Sequence, residues 1–123
     1  MTKLPVSPID PPRHARAIAV HRPAAGPALR LRAGEEVAVG RRDDEWPLWF
    51  RCRAADGREG WVPEAWLERE GGRATLRADY DATELEAAPG DQLTVHRAYG
   101  GWLWAERRGG GQGWIPARAV QFA

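Results

Sequence analysis

Apolar and polar residues alternate with period two in short runs from Ala17 onward. Leu29-Arg30-Leu31 and Val37-Ala38-Val39 stand on either side of Ala33-Gly34-Glu35, and Leu93-Thr94-Val95 and Trp102-Leu103-Trp104 show the same alternation later in the chain. Successive side chains of a strand point to opposite faces, so each run predicts a half-buried β-strand. Asp56-Gly57, Gly100-Gly101 and Gly109-Gly110-Gly111 separate the runs and supply the positive-φ positions that tight hairpins require. Helical periodicity is missing, and ten prolines oppose long helices. The pattern predicts an all-β protein.

The runs also recur. Trp61-Val62-Pro63 returns as Trp114-Ile115-Pro116 at a spacing of 53 residues, which Trp49/Trp102, Gly60/Gly113 and Leu67/Val120 share; upstream the spacing is 56, for Leu29/Leu85, Gly34/Gly90, Val37/Leu93 and Val39/Val95. The change places an insertion between Val39 and Trp49, where the first copy reads GRRDDEWPLW and the second HRAYGGW. Two copies are too few for a propeller or solenoid, so each is expected to fold as a small domain. Units of this size bury only about 60% of their unfolded surface, and seven tryptophans help to offset that. The expected organisation is a Pro-rich extended arm over 1–15, one domain over 16–68, a linker over 69–73 and a second domain over 74–123.

Charge and chemistry narrow the function classes. Eighteen basic and seventeen acidic residues leave a net charge of +1, without the basic footprint of a nucleic-acid binder. Cys52 is the single cysteine, so no intrachain disulfide can form, and it reads as a small buried hydrophobe. The N-terminus has no apolar leader core and no eighteen apolar residues run together, which suggests a cytoplasmic protein without membrane contact. Ser7 is the only serine, and His14, His21 and His96 are scattered, so no nucleophile, metal site or cofactor is expected. Gly109–Gly113 lies between strands and lacks a lysine; it reads as a hairpin, not a phosphate loop. No enzymatic activity is expected.

Ala78-Asp79-Tyr80-Asp81-Ala82, Glu84-Leu85-Glu86, Pro89-Gly90-Asp91, Gly101-Trp102-Leu103-Trp104 and Gly113-Trp114-Ile115-Pro116 together resemble an SH3 domain, from an ALYDY-like opening to a GxxP close. The first copy matches from Leu29, through Ala33-Gly34-Glu35, Trp49-Phe50 and Gly60-Trp61-Val62-Pro63. Over roughly 16–122 the chain is similar to small bacterial tandem SH3-type proteins. The resemblance implies two five-stranded barrels, each with a ligand groove of aromatic ridges between an RT loop and an n-Src loop, suited to a polyproline-II peptide.

Carried over by position, the second groove would hold Tyr80, Trp102 and Pro116, with Ala78 and Ala119 where two tyrosines are usual. The first would hold Trp49, Pro63 and Trp66, extended by Trp46 of the insertion. His21 is the residue available for the missing second tyrosine, and no other landmark fixes its register. Trp61 and Trp114 read as wall or core packing. Asp81 and Glu84 in one RT loop, and Asp43, Asp44 and Glu45 beside Trp46, could pair with a cationic ligand group, with solvated loop charge as the plain alternative. The implied function is a non-catalytic module for a peptide or protein ligand, proline-rich or cationic; the alternative is a structural or regulatory subunit whose aromatic faces are spent on interdomain or oligomer packing. Pro8, Pro11 and Arg13 spell P-x-x-P-x-R, a candidate for weak self-association against Asp81 and Glu84.

Overall fold

The computed structural model describes residues 6–23 and 26–123; the first five residues of the expected arm lie outside them. Twelve strands are described: β1 (Arg13–Ala17), β2 (Arg30–Leu31), β3 (Glu36–Arg42), β4 (Trp49–Ala54), β5 (Glu59–Pro63), β6 (Leu67–Glu70), β7 (Arg73–Leu76), β8 (Tyr80–Asp81), β9 (Gln92–Tyr99), β10 (Trp102–Arg107), β11 (Gln112–Pro116) and β12 (Val120–Phe122). Single 3-10 turns, Glu64–Trp66 and Ala117–Ala119, precede β6 and β12. One five-stranded sheet has the order β5-β4-β3-β7-β6, another the order β11-β10-β9-β1-β12, and β2 pairs with β8. The all-β architecture with two five-stranded antiparallel sheets agrees with the expectation.

The strands do not sort by repeat. β7 opens the second repeat in sequence, yet it pairs with β3 and β6 of the first, whereas β1 opens the first repeat and pairs with β9 and β12 of the second. Two compact units result among the described residues: a first of Ala28–Ala82, and a second of Val6–Pro27 with Thr83–Ala123. The expected limits of 16–68 and 74–123 therefore do not bound them. Within the first unit the two ends meet, since the Ala82 amide donates to the Leu29 carbonyl at 2.9 Å and Arg30 stands opposite Asp81. In connectivity, the first unit is a permuted barrel inserted into the loop that follows β1 of the second.

The cause lies in the expected linker. Glu70 stands directly opposite Arg73, so Gly71-Gly72 is a two-residue hairpin turn, with Gly71 at φ 64°, where a side chain would be strained. A turn this tight returns the chain along β6, and closing so short a loop costs little entropy compared with one of fifty residues. Once β7 holds that place, β1 is left with its counterpart. The two places are alike: Ala15 faces Leu93 as Ala74 faces Val37, and Ala17 meets Val120 as Leu76 meets Leu67.

Alternation supplies the cores. In the second unit Ala15, Ala17, Leu85, Leu93, Val95, Leu103, Ala105, Ile115 and Val120 pack together, joined by Ile9 of the arm. In the first, Leu29, Leu31, Val37, Cys52, Val62, Leu67, Ala74 and Leu76 are buried. Burial pushes the Cys52 thiol up to about 11, in keeping with an inert packing residue. The insertion falls where the change of spacing put it, since β3 and β4 are joined by residues 43–48 but β9 and β10 only by Gly100-Gly101.

Candidate functional site

Tyr80 and Asp81 belong to the first unit, so the expected second groove of Tyr80, Trp102 and Pro116 is not assembled from one unit, and neither is an RT-loop pair of Asp81 and Glu84. Tyr80 instead joins the aromatics of the first repeat. Its ring centroid lies 5.5 Å from that of Trp66, and its hydroxyl donates to the Trp61 carbonyl at 2.8 Å. The Trp66 indole donates to the Asp79 carbonyl at 3.2 Å, and Trp49 stands opposite Pro63 across β4 and β5. All four are buried: Trp66 is 1% exposed, Trp49 and Tyr80 5%, and Pro63 is among the fully buried side chains. The residues expected to form a groove are brought into one unit, but as a covered row.

The inserted loop is ordered by its own acid. Asp43 Oδ1 accepts the amides of Glu45 at 2.8 Å and Trp46 at 3.0 Å, while the Asp43 amide donates to the Trp49 carbonyl at 2.9 Å. This is an Asx turn, the local side-chain closure that aspartate favours. The Arg42 guanidinium donates to the Pro47 carbonyl, and the Leu48 carbonyl accepts from Glu64 at 2.8 Å. Asp43 thus organises the loop, whereas Asp44, Glu45, Pro47 and Leu48 are exposed and Trp46 is half-buried.

Sequence reasoning missed the arginines that lie on aromatic faces. Arg41 and Arg51 sit 5.1 and 5.6 Å from the Trp61 ring, and Arg42 and Arg69 lie 4.6 and 4.9 Å from Phe50. These cation–π contacts are made within the chain, on Trp61 and Phe50 and not on Trp46, where the cation of a ligand was expected. Their signal was present in Gly40-Arg41-Arg42 and Trp49-Phe50-Arg51, but it becomes visible only once the strand register is known.

In the second unit His21 pairs with Ala87 as Tyr80 pairs with Leu31, which fixes the register that the sequence left open. His21 occupies the tyrosine's place, and in the other unit from the one expected. Its Nδ1 lies 2.7 Å from the Leu85 carbonyl, its Nε2 lies 3.1 Å from Glu84 Oε1, and its ring meets Trp102 edge-on at 5.6 Å. Both nitrogens face acceptors, so the imidazolium satisfies both. The hydrogen bond to Glu84 accordingly raises the His21 pKa above its ordinary value, against the opposing effect of burial. Trp102 is half-buried and stands opposite the buried Pro116, with Ala119 buried nearby in sequence.

The N-terminal arm is docked on its own unit. The Ile9 amide donates to the His96 carbonyl at 2.7 Å, and Pro8, Ile9 and Pro12 line a depression of about 430 Å³ with Arg97 and Trp104. Arg13 is the first residue of β1, opposite Val95, with its guanidinium 4.2 Å from the Phe122 ring. It is therefore a strand residue engaged with Phe122, and the P-x-x-P-x-R reading against Asp81 and Glu84 is corrected. Asp81 lies 3.6 Å from Arg30. Among the described residues no group of three or more His, Cys, Asp and Glu could hold a metal, and no helix is long and apolar enough to cross a membrane.

Comparison with known proteins agrees with the repeat. A family described as variant SH3 domain matches residues 14–70, and one described as SH3 domain matches residues 78–117. Both matches follow the linear repeats, although the units exchange the strands that open them. No curated protein and no solved structure gives a match. Two SH3 matches in succession, over two five-stranded antiparallel sheets, show that the chain belongs to the SH3 family as a tandem SH3-domain protein.

Proposed function

We propose that this protein is a non-catalytic module that binds a peptide or protein partner, with the inserted loop of the first unit as its principal contact and Trp102, against the ring of His21, as a second. SH3 domains are in general protein-interaction modules, which supports the class. The observation that carries the assignment to the loop is the Asp43 turn. Two amides fixed on one carboxylate preorganise Asp44-Glu45-Trp46-Pro47-Leu48, with exposed carboxylates next to exposed apolar surface; Leu48 is 39% exposed. A loop already held in shape loses little entropy on binding. Two carboxylates beside an indole suit a ligand that carries arginine or lysine next to an apolar or proline residue.

The covered row favours a narrower role for the other aromatics. Trp49, Pro63, Trp66 and Tyr80 are buried, which supports the reading that they serve packing and leaves contact to the loop beside them. A synthetic Arg-containing proline-rich peptide, titrated into the labelled full chain, tests the assignment. Shifts centred on residues 43–48 and lost in Trp46→Ala are expected, with a loss above about 1.5 kcal/mol if the indole is a desolvated anchor. Capture of a partner that is unchanged by Trp46→Ala would move the contact elsewhere.

A further inference from the structure

The second unit has a basic groove that the peptide-binding reading does not use. On the outward face of its sheet, His14 and Arg16 of β1 stand opposite Thr94 and Gln92 of β9, Arg16 also stands opposite Gln121 of β12, and Glu106 of β10 stands opposite Thr94. With Arg107 and Arg108 these residues line an open groove of about 860 Å³.

The arginines there bond only to neutral oxygens. Arg16 donates to the Gln121 side-chain oxygen at 3.1 Å, Arg107 to the carbonyls of Gly110 at 3.0 Å and Glu86 at 2.8 Å, and Arg108 to the Gln92 side-chain oxygen at 3.4 Å. The acid on the rim, Glu106, is held by His96 Nε2 at 2.9 Å. In a chain of net charge +1, Arg16 and Arg108, without carboxylate partners among the described residues, are a local concentration of charge.

The first unit provides an internal control. Its equivalent row, Glu36, Thr75 and Glu68, occupies the register of Gln92, Arg16 and Gln121. The same sheet position thus carries two carboxylates in one unit and one guanidinium between two amides in the other. Barrel folding does not require this difference, since both units form the same sheet.

We propose that this groove docks a carboxylate-rich, extended segment of a partner protein. Guanidinium groups pair with carboxylates through two parallel N–H donors. A nucleic acid fits less well. Its stacking needs open aromatic faces, whereas Arg13 already covers Phe122 at 4.2 Å. The site is separate from the Asp43–Leu48 loop and takes a ligand of opposite charge, so either can fail alone.

The test is an amide-shift titration of the labelled full chain with an acetylated hexaglutamate peptide, a hexalysine peptide and a short single-stranded deoxyoligonucleotide. Hexaglutamate is expected to give saturable shifts at His14, Arg16, Thr94, Arg108 and Gln121, with none at Glu36, Thr75 and Glu68. Binding should weaken on raising salt from about 20 mM to about 300 mM, as the Debye length shortens. Exposed ion pairs are individually weak, so Arg16→Ala with Arg108→Ala should weaken binding roughly tenfold, and the paired lysine substitutions should keep it within about threefold. If the double variant loses its fold, Arg108→Ala alone should still weaken binding, and an unchanged affinity would overturn the proposal. So would absent or unsaturable shifts, equal shifts on the Glu36–Glu68 face, or tighter binding of the oligonucleotide than of hexaglutamate.

Discussion

The two units build the same five-stranded sheet and close it differently at one corner. In the first, Tyr80 and Trp66 fill that corner with two large rings 5.5 Å apart, and the Tyr80 hydroxyl is satisfied by the Trp61 carbonyl. In the second, the equivalent places hold His21 and Ala119, and the imidazole is satisfied by the Leu85 carbonyl and the Glu84 carboxylate. One corner is closed by apolar volume and a neutral hydrogen bond, the other by a histidine–carboxylate pair in less volume. The difference shows that the fold specifies a place to be filled and not the chemistry that fills it. It also separates two kinds of stability, one indifferent to mild changes of pH and one tied to them.

The largest expected effect follows from the exchange of opening strands. Residues 28–82 carry every strand of the first unit and join ends that already meet, so that fragment should fold alone and unfold cooperatively, as read by amide dispersion and a single thermal transition. An unfolded fragment would break the assignment of β7 to this unit. Joining Pro27 directly to Thr83 should likewise leave the second unit folded, with β1 still beside β9.

Next come substitutions in the corner and at the glycine that backs it. Trp66→Ala removes a side chain that is 1% exposed and should cost about 3–5 kcal/mol, measured by denaturant unfolding. Gly113 and Gly60 are equivalent, yet their surroundings differ. A Cβ on Gly113 would meet the Thr83 carbonyl oxygen at 2.7 Å and backbone atoms of Glu84 and Leu85 at 2.8 Å, whereas on Gly60 it would meet the Leu29 side chain, from 2.8 Å. Backbone yields less readily than a side chain, so Gly113→Ala should be the more destabilising of the two. Overpacking typically costs about 1–3 kcal/mol. Equal losses would show that the loop after Thr83 shifts freely.

Much of this was legible in the sequence. Period-two alternation located the strands from Leu29 to Trp104, the repeated Trp-Val-Pro and Trp-Ile-Pro steps showed two barrels, and the change of spacing located the Asp43–Leu48 loop. The partner of β1 was not legible, because Ala15 and Ala17 meet branched apolar residues of the same kind in either barrel. Periodicity reports which face is buried, not which of two equivalent neighbours buries it. The information that chooses lies in Gly71-Gly72, where the five residues read as a linker are in fact two strand ends and a two-residue turn. The site suffered from the same ambiguity. Carried over by position from the SH3 pattern, Tyr80 and Asp81 were assigned to the unit of Trp102 and Glu84, and the exchange puts them in the first, where Tyr80 meets Trp66 and Asp81 meets Arg30.

A smaller effect compares the hydrogen bonds that hold the two corners. Tyr80→Phe removes the donor to the Trp61 carbonyl and should cost about 1 kcal/mol, the typical net value of one hydrogen bond, at any pH between 6 and 8. A loss that varies across that range would mean that Tyr80 is linked to a titrating neighbour.

The smallest effect is the pH dependence of the other corner. The Glu84 carboxylate raises the His21 pKa in the folded state, while in the unfolded chain the imidazole returns to its ordinary value near 6.5. A folded pKa above the unfolded one means that the folded state binds more protons between the two values. The contribution is therefore fully present below the unfolded pKa and is lost as pH rises through the folded one. Stability of the second unit should fall as pH rises from the unfolded His21 pKa through the raised folded value, by no more than about 1 kcal/mol, because Glu84 is partly open to solvent. Unfolding of the full chain and of the Pro27–Thr83 joined form, followed at several pH values, should show this slope. Fragment 28–82, which lacks His21, should not. Glu84→Gln should flatten the slope by removing the charge that raises the pKa, and His21→Gln should abolish it. A slope that survives His21→Gln would assign it to another group and leave the two corners alike in their response to pH.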